Sequence, residues 1–207
     1  MEFFLSFELS PEPMSLLKRG QMKPADSKYE LADSFRKDLE YADHVDGSPL
    51  YIADGGYLLH KIVWPSDPTY GQILNNHVEY IIRHYGRNVI VIMDGYGNEN
   101  CTKTSTRKVR ASRYTSREII FDCNMKAVIK LSEFLGSESN KAQFISKLME
   151  FLVNEGIQVK QATGDADFLI VLTAFEAEAE NLEPVVVIGN DTDLQCMLVE
   201  MCETSNV

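Results

Sequence analysis

The stretch "PVVVIGNDTDL" (residues 184–194) runs an apolar segment into a glycine and then sets two aspartates, Asp191 and Asp193, two positions apart. A short apolar run bounded by Pro184 and Gly189 reads as a strand buried on both faces, the mark of a parallel sheet. Three other segments have the same form: "PLYIAD" (49–54), "NVIVIMD" (88–94) and "IQVKQA" (157–162). Between them lie helical patterns. "YGQILNNHVEYIIRHYG" (70–86) puts Ile73, Leu74, Val78, Ile81, Ile82 and Tyr85 on one face, and "NKAQFISKLMEFLVNEG" (140–156) reads as a helix capped by Asn140 and stopped by Gly156. "DADFLIVLTAFEAEAE" (165–180) is a third helix, and a last one starts at Asp191 with Leu194, Met197, Leu198 and Met201 toward the sheet. Strands alternating with helices predict an α/β domain over residues 49–207, with a parallel sheet of four to five strands and helices on both faces. Residues 1–48, with Pro11, Pro13 and Pro24, read as an irregular N-terminal extension holding at most a short helix at 32–41.

Composition bounds the function. The chain has 207 residues, 44% hydrophobic and 25% charged, enough for one domain with a sizeable core. A net charge of −11 and a pI near 4.8 exclude a protein that coats nucleic acid indiscriminately, while leaving room for a local basic surface. The N-terminal "MEFFLSF" has an acid where a signal peptide has a basic region, and no window approaches the roughly 20 apolar residues of a membrane span. The expectation is an intracellular protein, nuclear or cytoplasmic, monomeric and without a membrane partner. Cys101, Cys123, Cys196 and Cys202 have no CxxC spacing and read as reduced thiols, neither a zinc site nor a disulfide framework. The sequons at Asn100 and Asn190 read as chance matches.

Every predicted strand ends on acid: Asp54 after the first, Asp94 after the second, Asp165 and Asp167 after the third, Asp191 and Asp193 after the fourth. In open parallel sheets the crevice outside the carboxyl ends is where ligands bind. Carboxylates gathered there raise one another's pKa unless cations intervene, and all-oxygen ligands favour Mg²⁺ or Mn²⁺ over zinc. Two such ions about 4 Å apart activate water and stabilise the leaving oxygen of a phosphodiester. The competing explanation is local, with Asp165 or Asp191 as N-caps and the Asp-Gly pairs at Asp54 and Asp94 as turns. The coincidence of all the strand ends favours a shared two-ion site.

Among the remaining residues, "CTKTSTRKVRASRYTSR" (101–117) concentrates basic charge with no acid. If helical, Lys103, Arg107 and Arg110 fall on one face, placed to grip substrate phosphates close to Asp94. His60 and His84 read as helix-end or surface histidines, since two-ion hydrolysis needs no side-chain base. Tyr57 reads as packing under the sheet ahead of base stacking, and Trp64 as a core or loop anchor.

"IADGGYLLH", "VIVIMDGY", the basic stretch, "GDADFLIV" and "VIGNDTDL" occur in the order seen in the PIN-like nucleases of the flap endonuclease (5′ nuclease) superfamily, which the chain resembles over roughly residues 50–200. It looks closer still to an uncharacterised animal group whose N-terminal segment resembles residues 1–48. The resemblance implies a three-layer, Rossmann-like fold and a nuclease that uses Mg²⁺ or Mn²⁺ on structured or single-stranded nucleic acid, DNA ahead of RNA. By position, Asp54, Asp94, Asp165 and Asp167 are similar to the ligands of a first ion, and Asp191 and Asp193 to those of a second. Lys103 and Arg110 resemble the basic residues of the family's helical arch. Two departures stand out: Asp165 and Asp167 occupy positions where the family commonly has Glu, and the family's further acid and duplex-holding helix-turn-helix lie past Val207, so the expectation is a C-terminally truncated member. The alternatives are a catalytically inactive PIN-like fold that binds nucleic acid or protein, and a DxD-type phosphatase with Asp191 as nucleophile and Asp193 as acid/base.

Overall fold

The protein was examined as a computed structural model that describes residues 17–18, 21–22, 45, 47–95, 117–180 and 184–204. The expected helix at 32–41 lies outside these. From the N-terminal extension, β1 (Leu17–Lys18) and β2 (Gln21–Met22) form a two-residue antiparallel pair.

The main sheet has four strands, β3 (Leu50–Asp54), β4 (Val89–Met93), β5 (Gln158–Gln161) and β6 (Val185–Ile188). Its order is β5-β4-β3-β6 and every pairing is parallel. The chain therefore steps outward from β3 to β4 and β5, then returns to the opposite side of β3 for β6. The strand order reverses between β3 and β6.

Six helices are found among the described residues: α1 (Gly55–Lys61), α2 (Tyr70–Tyr85), α3 (Leu131–Leu135), α4 (Glu138–Asn154), α5 (Asp167–Glu180) and α6 (Thr192–Thr204). The two-residue period of the strands divides them into layers. Val89, Val91 and Met93 of β4 join Ala53 in one core with Leu58, Ile73, Leu74, Phe134, Phe144 and Leu148. Ile90 and Ile92, with Ile52, face the other way against Ile170, Val171 and Ala174 of α5 and Leu194 of α6. The architecture is thus three-layer α/β, as the strand and helix alternation predicts.

Local chemistry explains most boundaries. Helix α2 opens on a reciprocal capping box between Thr69 and Gln72 and ends at Gly86, whose φ of 72° needs glycine. Gly156, with φ of 78°, follows α4 in the same way. The cap of α4 departs from expectation: it is Ser137, which accepts from the Asn140 amide. Asn140 lies inside the helix, buried, and its side chain is used elsewhere. Its Oδ1 accepts from the Ile119 N–H at 2.8 Å and its Nδ2 donates to the Arg117 carbonyl at 2.9 Å. Helices α5 and α6 likewise begin at Asp167 and Thr192, not at 165 and 191.

The irregular residues 117–130 are held by backbone as well as by Asn140. The Gly71 N–H donates to the Cys123 carbonyl at 2.8 Å, an approach so close that a Cβ on Gly71 would stand 2.9 Å from that oxygen. Phe121 stacks on Tyr70 with ring centroids 4.2 Å apart. Trp64 sits against Tyr70, Phe134 and Phe144, the core anchor expected of it.

One core residue carries a pH dependence. His77 is fully buried, and its Nδ1 lies 2.8 Å from the Ile73 carbonyl. A carbonyl only accepts, so Nδ1 holds the proton and Nε2, which has no hydrogen-bond partner, is a buried acceptor. Burial lowers the pKa from the ordinary 6.5, so the unfolded chain binds more protons just below that value and stability falls as pH drops through it. His77→Leu is expected to flatten this acid-side loss, measured as the melting temperature between neutral pH and about pH 5.

Candidate metal centre

Asp54 closes β3 and caps α1, its Oδ1 accepting from the Gly56 N–H at 2.8 Å. The expected Asp54-Gly55 turn is therefore a strand-to-helix junction. Glycine is required at 55 because a Cβ there would fall 2.1 Å from the Met93 sulfur. Asp94 follows β4, and its Asp-Gly pair is not a simple turn either. The Gly95 N–H donates to the Gly164 carbonyl at 2.7 Å, and a Cβ on Gly95 would lie 2.2 Å from the Ala162 carbonyl oxygen. This tight crossing brings the ends of β4 and β5 together. The Asp94 carboxylate accepts from the Ala166 N–H at 3.3 Å through Oδ1, while Oδ2 stands 3.9 Å from the Lys141 ammonium of α4.

Gly56 leaves a notch between the two acids. A Cβ there would sit 3.1 Å from Asp54 Oδ1 and 3.9 Å from Asp94 Oδ2. On the other side of Asp54, the end of β6 passes close enough that a Cβ on Gly189 would be 3.7 Å from the Asp54 Cβ. Asp191 caps α6, accepting from the Asp193 N–H at 3.0 Å. The cap explanation is thus correct for Asp191, but the residue is also part of a shared field.

That field is read at Asp54. Its pKa is raised above 3.8, first by burial and then by the charges of Asp94 and Asp191, with the N–H groups of Tyr57 and Gly56 opposing. The acids that follow β4 and β6 thus both act on Asp54 where the strand order reverses, the position at which doubly wound sheets bind ligands. Asp165 is half-buried and Asp167 buried at the first residue of α5, and Ala166 between them links this loop to Asp94. Asp193 is half-buried within the first turn of α6. Among the described residues, no three His, Cys, Asp or Glu side chains stand close enough to form a ligating group. Asp94 and Asp191 act electrostatically on Asp54, and the described acids do not make a coordination shell. Their chemistry suits a hard divalent cation: the donors are all oxygen, and Asp54 and Asp94 face one notch.

Lys103, Arg107 and Arg110 lie outside the described residues. Before and after residues 96–116, the Gly95 N–H donates to the Gly164 carbonyl and the Arg117 carbonyl accepts from Asn140 Nδ2. Tyr57 is half-buried against the core. His60 is an exposed residue at the end of α1, its pKa lowered by burial and by Lys141, and His84 stacks on Tyr80. The sequence reading missed two residues of this edge, Lys141 and Phe168. Phe168 follows Asp167 and is 65% exposed. A lysine in the first turn of a helix opposes the helix dipole, a signal present in the sequence with either Asn140 or Ser137 as the cap.

No protein family, curated protein or solved structure matches the chain.

Two substitutions test the geometry. A carboxyl group whose pKa is raised on folding binds more protons folded than unfolded, so it lowers stability as pH climbs above 3.8. Asp54→Asn keeps a good N-cap and is expected to melt higher than wild type at neutral pH, with the difference closing below pH 3.8. Gly95→Ala is expected to cost about 1–3 kcal/mol in urea unfolding, because the new methyl group overpacks against backbone that cannot rotate away.

Proposed function

We propose that the chain is a divalent-metal-dependent nuclease of the PIN-like, flap endonuclease type, hydrolysing phosphodiester bonds in structured or single-stranded nucleic acid. The observation that carries this is the placement of Asp54, Asp94 and Asp191 at or just past the carboxyl ends of β3, β4 and β6, where the strand order reverses. In this reading Asp54 and Asp94, with Asp165 and Asp167, hold one Mg²⁺ or Mn²⁺, and Asp191 and Asp193 hold a second. Bound ions supply an activated water and charge stabilisation for the leaving oxygen.

The chain's own residues prepare the site. Backbone N–H groups orient Asp54 and Asp94, and the missing side chain at Gly56 keeps the space between them clear. Lys103, Arg107 and Arg110 follow Asp94 closely in sequence, so they are the basic residues best placed along the chain for holding a substrate's phosphates. DNA is favoured over RNA as substrate, and the working unit is a monomer.

A second reading, an inactive PIN-like fold that binds nucleic acid or protein, is favoured by one observation: the acids among the described residues do not form a ligating group of three. The phosphatase alternative has less support. The Asp191 carboxylate is occupied in capping α6, and the acids on β3 and β4 have no part in it.

Calorimetric titration with Mn²⁺, set beside cleavage of a labelled flap and a labelled single strand, separates these. The nuclease predicts Mn²⁺ binding and metal-dependent cutting by wild type, both lost in Asp191→Asn/Asp193→Asn. Binding without cutting selects the inactive fold. Absence of Mn²⁺ binding sinks the shared site.

A further inference from the structure

Helices α2 and α4 end at Tyr85 and Asn154, each a few residues before the strand it feeds, β4 or β5. In a parallel sheet those strand starts lie at the amino edge, away from Asp54 and Asp94. Between the two helices on that side is an open groove of about 380 Å³. Its floor is apolar, made by Val78, Ile82 and Phe151. Val78 belongs to the core, but Ile82 and Phe151 are only half-buried. They carry the apolar stripe of each helix past the core and into the groove, where a surface helix ordinarily turns polar.

The rim is polar and exposed. Asn75 and Asn154 present carboxamides, each with two N–H donors and an acceptor, that make no hydrogen bond within the protein. Glu79 has no ion pair, although Arg83 follows it by one helical turn. Glu155 is engaged by Arg87 at 3.0 Å, so that guanidinium does not cancel the charge of Glu79.

This make-up selects the occupant. Small-molecule sites bury most of their ligand, which a groove with so exposed a rim does not do. From Asn75 to Ile82 it follows α2 for about two turns, the length over which a docked helix presents anchors at i, i+3, i+4 and i+7. The unpaired Glu79 favours a positively charged flank.

We propose that the α2–α4 groove is a docking surface for an amphipathic helix of a partner protein, seating apolar side chains on Val78, Ile82 and Phe151 and a lysine or arginine against Glu79. The surface stands apart from the acids and does not rest on the nuclease reading.

The test uses the full chain and a labelled synthetic peptide, a short helix with leucine on one face and lysine on the other. Affinity is read by fluorescence anisotropy, and the contact is located by amide chemical shifts in ¹⁵N-labelled protein. Shift changes are expected on residues 75–82 and 151–155. Glu79→Lys is expected to weaken binding roughly tenfold through like-charge contact, and Asn75→Trp, whose indole fills the groove, to abolish it. Glu176→Lys, an equal charge change at an exposed position on α5, is expected to leave affinity unchanged. All three substitutions are at exposed positions, and unchanged melting temperatures confirm the fold. No binding by wild type overturns the proposal, as do shift changes centred on Asp54 and Asp94. Equal weakening by Glu79→Lys and Glu176→Lys overturns it too, since it reports general attraction to an acidic protein. So does equal binding of a peptide with glutamine for lysine. A concentration-dependent dimer in sedimentation that Asn75→Trp disperses assigns the groove to a second copy of the chain and overturns the partner helix.

Discussion

Backbone pairing along β3 is made twice, with β4 on one side and β6 on the other, and in parallel register on both. Asp54 stands level with Ile92 of β4, and Ala53 with Ile188 of β6. The residues that follow those partners, from Met93 into Asp94 and from Gly189 into Asp191, must then emerge on the same edge as Asp54. An antiparallel neighbour would have sent its carboxyl end to the far side. The convergence of acids is a consequence of the sheet's hydrogen bonding, and the glycines at 55 and 95 remove side chains that would collide with the ends of the neighbouring strands.

Gathering negative charge in this way opposes folding, and the protein offsets it locally. Asp54 and Asp94 each accept backbone N–H groups, Asp191 sits at a helix N-terminus, and Lys141 stands over Asp94. The compensation is incomplete, since Asp54 still has a raised pKa. Burial is the main cause of this rise and the charges of Asp94 and Asp191 add to it, so Asp54 is kept at some expense of stability.

Asn140 ties the site to the rest of the domain. Its side chain holds the backbone of Arg117 and Ile119, and Phe121, two residues further on, stacks on Tyr70 in the core. The same turn of α4 carries Lys141, whose ammonium stands 3.9 Å from Asp94.

The sequence by itself determined the strands, the long helices and the layer scheme, because apolar periodicity and glycine stops are local properties written residue by residue, as in "NVIVIMD" and at Gly86 and Gly156. It also named the acids. It misassigned Asn140, because a buried asparagine bonded to residues more than twenty positions earlier looks the same in sequence as a helix cap. It weighed Asp54-Gly55 and Asp94-Gly95 as turns against a shared site without showing why glycine stands there, because the reason for each is a contact with β4 or with residues 162–164, distant along the chain. Only the tertiary structure decided which acids share a field, since that depends on β6 returning beside β3, and only it brought Lys141 to Asp94. Strand order and helix start are set by packing between remote segments, and no local pattern encodes them.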